Sequence, residues 1–152
     1  MARGRLLVLD DEPRILDIVR YFLEQGGYEV ETCADADDAL AAARRASFDV
    51  AVVDVVLDAG TSGYDAAGRL KKIKNTAETP VLFMSSKVQM ADLFLENYDG
   101  RAEFILKPFK REDFLTKIET LLQGGGRRAR RVARPVKGGT QDASGVARPR
   151  KD

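Results

Sequence analysis

The sequence contains no histidine. That absence excludes His-ligated metal sites, Ser–His triads and imidazole general bases in one step. It also means that the chain cannot carry a phosphohistidine of its own. Cys33 is the single cysteine and cannot close an intramolecular disulfide, which fits a reducing compartment. Long apolar runs are missing too: no stretch approaches the roughly 20 apolar residues of a membrane-spanning helix. Met1-Ala2-Arg3-Gly4-Arg5 leads into only four apolar residues, too few for a secretory leader. A cytoplasmic location without membrane association is expected. Nucleotide-binding loops are absent as well. Gly63 and Gly68 have the separation of a P-loop, but Arg69-Leu70 stands where a lysine and a hydroxyl are required.

What is present is unevenly distributed. The chain has 152 residues and a formal net charge of +1. Residues 1–123 hold 16 Lys and Arg against 22 Asp and Glu, a net −6, while residues 124–152 hold 9 against 2, a net +7. An acidic body with a basic tail divides the chain into a domain over 4–123 and a tail over 124–152. The tail opens with Gly124-Gly125-Gly126, continues into Arg127-Arg128-Ala129-Arg130-Arg131 and has almost no large apolar residues. It is expected to be a flexible joint followed by disorder.

The body alternates strand and helix patterns five times. Strands are predicted over Arg5–Leu9, Tyr28–Thr32, Phe48–Asp54, Pro80–Met84 and Ala102–Leu106. Helices are predicted from Pro13 to a stop at Gly26-Gly27, from an Asp35 cap to Arg45, from about Tyr64 to Lys74, from about Gln89 to Tyr98 and from about Arg111 to Leu122. Phe48-Asp49-Val50-Ala51-Val52-Val53-Asp54 is apolar at nearly every position, as a strand buried on both faces must be. Strict β-α alternation implies a doubly wound parallel sheet with helices on both faces, and the flavodoxin-like order 2-1-3-4-5 is expected.

In such a sheet, ligands bind outside the carboxyl ends of the strands. Those ends carry Asp10-Asp11, Asp54, Ser85 and Lys107. Taken singly, an acid pair is a solvated turn, a serine after a strand is a cap, and Lys-Pro is a turn. Four strand ends converging with this set is a stronger signal. Three crowded carboxylates repel one another, and a hard divalent cation relieves the repulsion. Mg²⁺ suits them, because it takes few protein oxygens and keeps positions open for a phosphoryl group. Asp54 is then the candidate nucleophile for an aspartyl phosphate, Lys107 the counter-charge, and Ser85 a hydroxyl for a phosphoryl oxygen.

Asp10-Asp11, Asp54, Ser85-Ser86 and Lys107-Pro108-Phe109 resemble, in order and near-family spacing over about residues 4–123, the receiver domain of bacterial two-component response regulators. The resemblance implies Mg²⁺ on Asp10, Asp11, Asp54 and the Val56 carbonyl. It also implies phosphoryl transfer to Asp54 from a sensor histidine kinase or phosphotransfer protein. Ser85 and an aromatic at Phe104 would act as the switch, and the Lys107-Pro108 bond would be cis. Phe104 reads equally well as core, and it lacks a tyrosine hydroxyl. Output would pass to a further protein through the face of the fourth helix, fifth strand and fifth helix. The loop after Asp54 departs from the family: Asp58 replaces the usual proline, and the glycine, Gly63, comes one residue late.

Three readings of function stand side by side at this point. One is a phosphorylated switch that turns over no external substrate. The second is a receiver-like adaptor that works without phosphate. The third is an aspartyl-nucleophile phosphatase, which needs an acid two residues after the nucleophile, where Val56 stands. The tail has three readings of its own: a solubilising extension, a dock for an acidic partner, or a nucleic-acid contact through phosphates.

Overall fold

The computed structural model describes residues 2–57, 62–89 and 98–128. Five parallel strands form one sheet in the order β2-β1-β3-β4-β5: β1 Arg5–Leu9, β2 Glu29–Cys33, β3 Val50–Asp54, β4 Val81–Ser85 and β5 Arg101–Leu106. The helices are α1 Pro13–Gln25, α2 Ala36–Arg45, α3 Gly63–Leu70 and α4 Arg111–Leu122, with a 3₁₀ turn over Lys74–Thr76. The helix expected over about Gln89–Tyr98 falls largely outside the described residues.

Side-chain alternation along the central strands explains why both sheet faces are covered. Leu7, Leu9, Ala51, Val53, Val81 and Phe83 point to one face and pack with Ala39, Leu40 and Ala43 of α2 and Ala66, Ala67 and Leu70 of α3. Leu6, Val8, Val50, Val52, Leu82 and Met84 point to the other and pack with Val19 and Leu23 of α1 and Phe114, Ile118 and Leu121 of α4. Cys33 is buried at the end of β2, and burial pushes its thiol up to about 11, which leaves it a packing residue with little thiolate.

Local signals set the helix ends. Pro13 opens α1, where its missing N–H costs nothing. Asp35 accepts from the Asp38 amide at the start of α2, and Ser62 accepts from the Tyr64 amide at the start of α3. The third helix is shorter than its pattern suggested. Leu70 is its last residue, and the Lys74–Thr76 turn is held by the Thr76 hydroxyl donating to the Leu70 carbonyl at 2.6 Å.

The ordered chain also runs past Leu122, where a flexible joint was expected. Gly124 and Gly126 take positive φ values of 89° and 98° and turn the backbone back. Arg127–Arg128 then pairs antiparallel with Arg101 and Ala102 as a sixth, two-residue strand, β6. Glycine supplied a tight turn here, where the composition suggested slack. The rest of the tail, 129–152, lies outside the described residues.

Candidate functional site

Register brings the acids together. Leu9 lies beside Val53 across the β1–β3 pair, so the residues that follow, Asp10 and Asp54, are neighbours. Asp54 lies beside Met84 on β4, and Ser85 beside Leu106 on β5, which puts Ser85 and Lys107 on the same rim. The ladder continues one step beyond the strands, with the Val55 amide donating to Met84 and the Lys107 amide donating to Ser85.

Asp10 is fully buried, and both of its oxygens are engaged. Oδ1 accepts from the Glu12 amide at 2.9 Å, and Oδ2 accepts from Lys107 Nζ at 2.9 Å. The same Nζ stands 3.5 Å from Asp54 Oδ2, while Asp54 Oδ1 accepts a long bond from the Val56 amide at 3.4 Å. One carboxylate oxygen from each of Asp10, Asp11 and Asp54 lies within 4.8 Å of the others. Three hard oxygen donors at this spacing can hold a divalent cation, and Lys107 offsets only part of their charge.

Asp11, Asp54, Val56, Ser85 and Lys107 line one cleft of about 370 Å³, together with Glu12, Leu57, Ser86 and Lys87. Asp10 sits behind this lining as the anchor of Lys107. Ser85 is buried, and its Oγ accepts from the Lys87 amide at 3.0 Å, so it closes a turn and faces the cleft at once. Phe104 is half-buried on β5 and packs against the core beneath α2 and α3. The Lys107-Pro108 bond is cis.

Burial, then the charge of Asp10, push the Asp54 carboxyl up to about 6, against the pull of Lys107 and the Val56 amide. Burial raises Asp10 as well, opposed by the Lys107 hydrogen bond. Burial works against the Lys107 ammonium, but its bond to Asp10 and the two carboxylates outweigh this and hold it above its usual value. An acid raised in the folded state binds more protons than its unfolded counterpart. Its stabilisation is complete below about pH 4 and is lost as pH rises through about 6. Melting of the cation-free chain is therefore expected to fall across that window, by about 3 kcal/mol at most. Asp54→Asn should flatten the profile and melt higher at pH 8. A variant as pH-sensitive as the parent would contradict this.

Two contributors were not legible beforehand. The Glu12 amide caps Asp10 through an Asx turn, for which Asp10 three residues before Pro13 was the available signal. Gly63 is needed for space: a Cβ there would lie 2.0 Å from the Asp54 carbonyl oxygen. The late position of this glycine is absorbed by the loop, since Val56 and Ser62 form an antiparallel bridge and Gly63 donates to the Val55 carbonyl at 2.7 Å. Asp58 lies in the part of that loop outside the described residues.

Comparison with known proteins agrees with this geometry. The family model described as the response regulator receiver domain matches residues 6–119. The DNA-binding dual master transcriptional regulator RpaA of Synechocystis is 31% identical over 119 residues, covering 78% of this chain and 49% of RpaA. Protein PilH of Pseudomonas aeruginosa is 30% identical over 121 residues, covering 80% of this chain and 99% of PilH. The structure of the chemotaxis protein CheY4 of Vibrio cholerae superposes with a TM-score of 0.71 at 30% identity, covering 80% of this chain and 99% of CheY4. The chain thus spans about half the length of several curated relatives it matches and nearly all of PilH.

Proposed function

Since the chain belongs to the response-regulator receiver family, we propose that it is a phosphorylation-dependent switch in which Asp54 takes a phosphoryl group from the phosphohistidine of a sensor kinase or phosphotransfer protein. The observation that carries this reading is the rim itself: an ionisable acid at the mouth of a cleft, beside a buried carboxylate and a lysine that contacts both.

The chemistry assigned to each residue follows from its surroundings. At pH 7–8 Asp54 is mainly ionised, because its carboxyl titrates at about 6. Its oxygen forms a bond to phosphorus as the phosphorus–nitrogen bond of the donor breaks, and the departing imidazole takes a proton. Lys107, released in part from Asp54, offers its ammonium to a phosphoryl oxygen while Asp10 keeps it in place. The Ser85 hydroxyl is the remaining donor. Asp11 and Asp54, with Asp10 behind them and the Val56 carbonyl, are the oxygens that would hold Mg²⁺. When bound, that ion neutralises the carboxylates and polarises phosphoryl oxygens.

Val56 lines the cleft where a phosphatase would need its proton-transferring acid. This favours self-phosphorylation and self-dephosphorylation over turnover of an external ester. Phosphorylation adds about −1.5 to −2 charges to the rim. The change would reach an output protein as a population shift at the face that includes β5 and α4. No helix among the described residues is long and apolar enough to cross a membrane, and a cytoplasmic setting suits a kinase-fed switch.

The test is incubation with Mg²⁺ and acetyl phosphate, followed by mass measurement and base treatment. One base-labile phosphate is expected on the parent chain and none on Asp54→Asn. Equal labelling of both, or of neither, would remove the reading.

A further inference from the structure

We propose that Lys87 is a second cation of the phosphoryl site, one that takes hold of the dianionic phosphoryl group of the donor at the mouth of the cleft. The inference rests on Asp54 being the phosphoacceptor, and it adds a residue that the rim set of Asp10, Asp11, Asp54, Ser85 and Lys107 leaves out.

The site itself fixes the backbone of Lys87. Its amide donates to Ser85 Oγ at 3.0 Å and closes a turn over Ser85-Ser86-Lys87 at the end of β4. That oxygen already accepts from the amide, so the Ser85 proton is left to be donated elsewhere. The Lys87 side chain lines the same cleft as Asp54, Ser85 and Lys107. Lys87 is exposed to solvent and forms no ion pair among the described residues.

The charge balance of the cleft gives such a group its use. Asp11, Glu12 and Asp54 bring three carboxylates to the lining, against the ammonium groups of Lys87 and Lys107, and Asp10 stands behind them. Lys107 is committed, at 2.9 Å from Asp10 and 3.5 Å from Asp54. A divalent cation on the acids would bring the site to about neutrality and no further. A donor whose phosphoryl group carries two negative charges therefore gains attraction only from where single cations stand. Val56 and Leu57 add apolar side chains to the lining, and Ser86 adds a hydroxyl. Among the described lining residues Lys87 is the one cation not already paired with a carboxylate. An ammonium on a flexible four-carbon stem can meet the phosphoryl group outside the cleft and follow it to Asp54. Half-buried Lys107 then holds the group from the floor, and Lys87 holds it from the mouth.

Labelling rates at pH 7, with saturating Mg²⁺ and limiting donor, test this on the full chain with two small donors. Acetyl phosphate presents a dianion, and phosphoramidate mainly a monoanion. Lys87→Gln keeps the amide that bonds Ser85 and removes the charge. It should slow labelling of Asp54 by acetyl phosphate about fivefold or more at about 0.1 M ionic strength. The gap should narrow toward about 1 M, where the screening length falls from about 10 Å to about 3 Å. With phosphoramidate the loss should stay below about twofold. Lys87→Glu should slow the dianion further, and Lys87→Arg should label within about twofold of the parent. All three should melt with the parent, because the side chain is exposed. Equal acetyl phosphate rates for the parent and Lys87→Gln overturn the inference and leave the phosphoacceptor reading intact. An equal loss with both donors, or a loss that salt does not reduce, also overturns it, since either reports a disturbed turn at Ser85. A parent chain that neither donor labels overturns both.

Discussion

Gly63→Ala should unfold the rim that Gly68→Ala leaves intact. Both glycines lie in α3, and neither has a positive φ, so the two substitutions differ in space alone. At Gly63 the added carbon would stand 2.0 Å from the Asp54 carbonyl oxygen and 2.8 Å from both the Asp54 carbonyl carbon and the Val55 Cα. All three are backbone atoms, which cannot rotate out of the way. The start of α3 must then lift from the end of β3, breaking the 2.7 Å bond from the Gly63 amide to Val55. Overpacking costs typically about 1–3 kcal/mol, and a clash with backbone belongs at or above the top of that range. A melting temperature lower by roughly 10 °C is expected, with labelling of Asp54 slowed at least tenfold because its backbone is displaced. At Gly68 an added carbon meets nothing within 4 Å. There alanine should stabilise the helix by about 0.5–1 kcal/mol. Thermal melts of the two variants check this, and similar losses in both would refute the spatial account.

The second large effect is expected at Lys107. Its ammonium is 2.9 Å from Asp10 and 3.5 Å from Asp54, and Asp10 has no exposure to solvent. Lys107→Met keeps much of the stem and removes the charge. Asp10 is then left with the Glu12 amide as its hydrogen-bond donor and with Asp54 close by. Removing one partner of a buried pair costs about 3–5 kcal/mol when the other stays charged. The protein has one escape, which is to bind a proton. Both acids already titrate above their usual range, and losing the cation raises them further. Stability lost this way is lost as pH rises, so the variant should be crippled at pH 8 and close to the parent near pH 4. Mg²⁺ should restore part of the loss at pH 8 by replacing the missing positive charge. Denaturant titrations at both pH values decide the matter. Parallel pH profiles for variant and parent would mean that Lys107 acts through packing. Lys107→Arg is not a rescue, because a planar fork cannot place one point charge between two carboxylates.

Several parts of this molecule were legible as text. The β3 strand announces itself because Val50, Ala51, Val52 and Val53 must each be apolar to lie between two helical layers. Pro13, Asp35 and the Gly26-Gly27 pair mark helix ends through local chemistry that needs no distant partner. The rim set Asp10, Asp11, Asp54, Ser85 and Lys107 was legible as a list, since strand ends in a parallel sheet face one way. The tail's first residues were misjudged for an equally physical reason. Glycine permits slack and tight turns alike, and only the packing of Leu121, Thr120 and Arg101 around Gly124–Gly126 selects the turn.

By itself the sequence determined the layers, the strand ends and the residue types gathered there, because burial and alternation act on each residue where it stands. The tertiary structure alone decided the division of labour among the acids. It put Asp10 wholly in the interior holding Lys107, left Asp54 at the cleft with its carboxyl raised to about 6, and pressed Gly63 against the backbone of Asp54. Desolvation, charge–charge distance and steric contact are properties of pairs far apart in the chain. They have no value until the register of β1, β3 and β5 brings those pairs together.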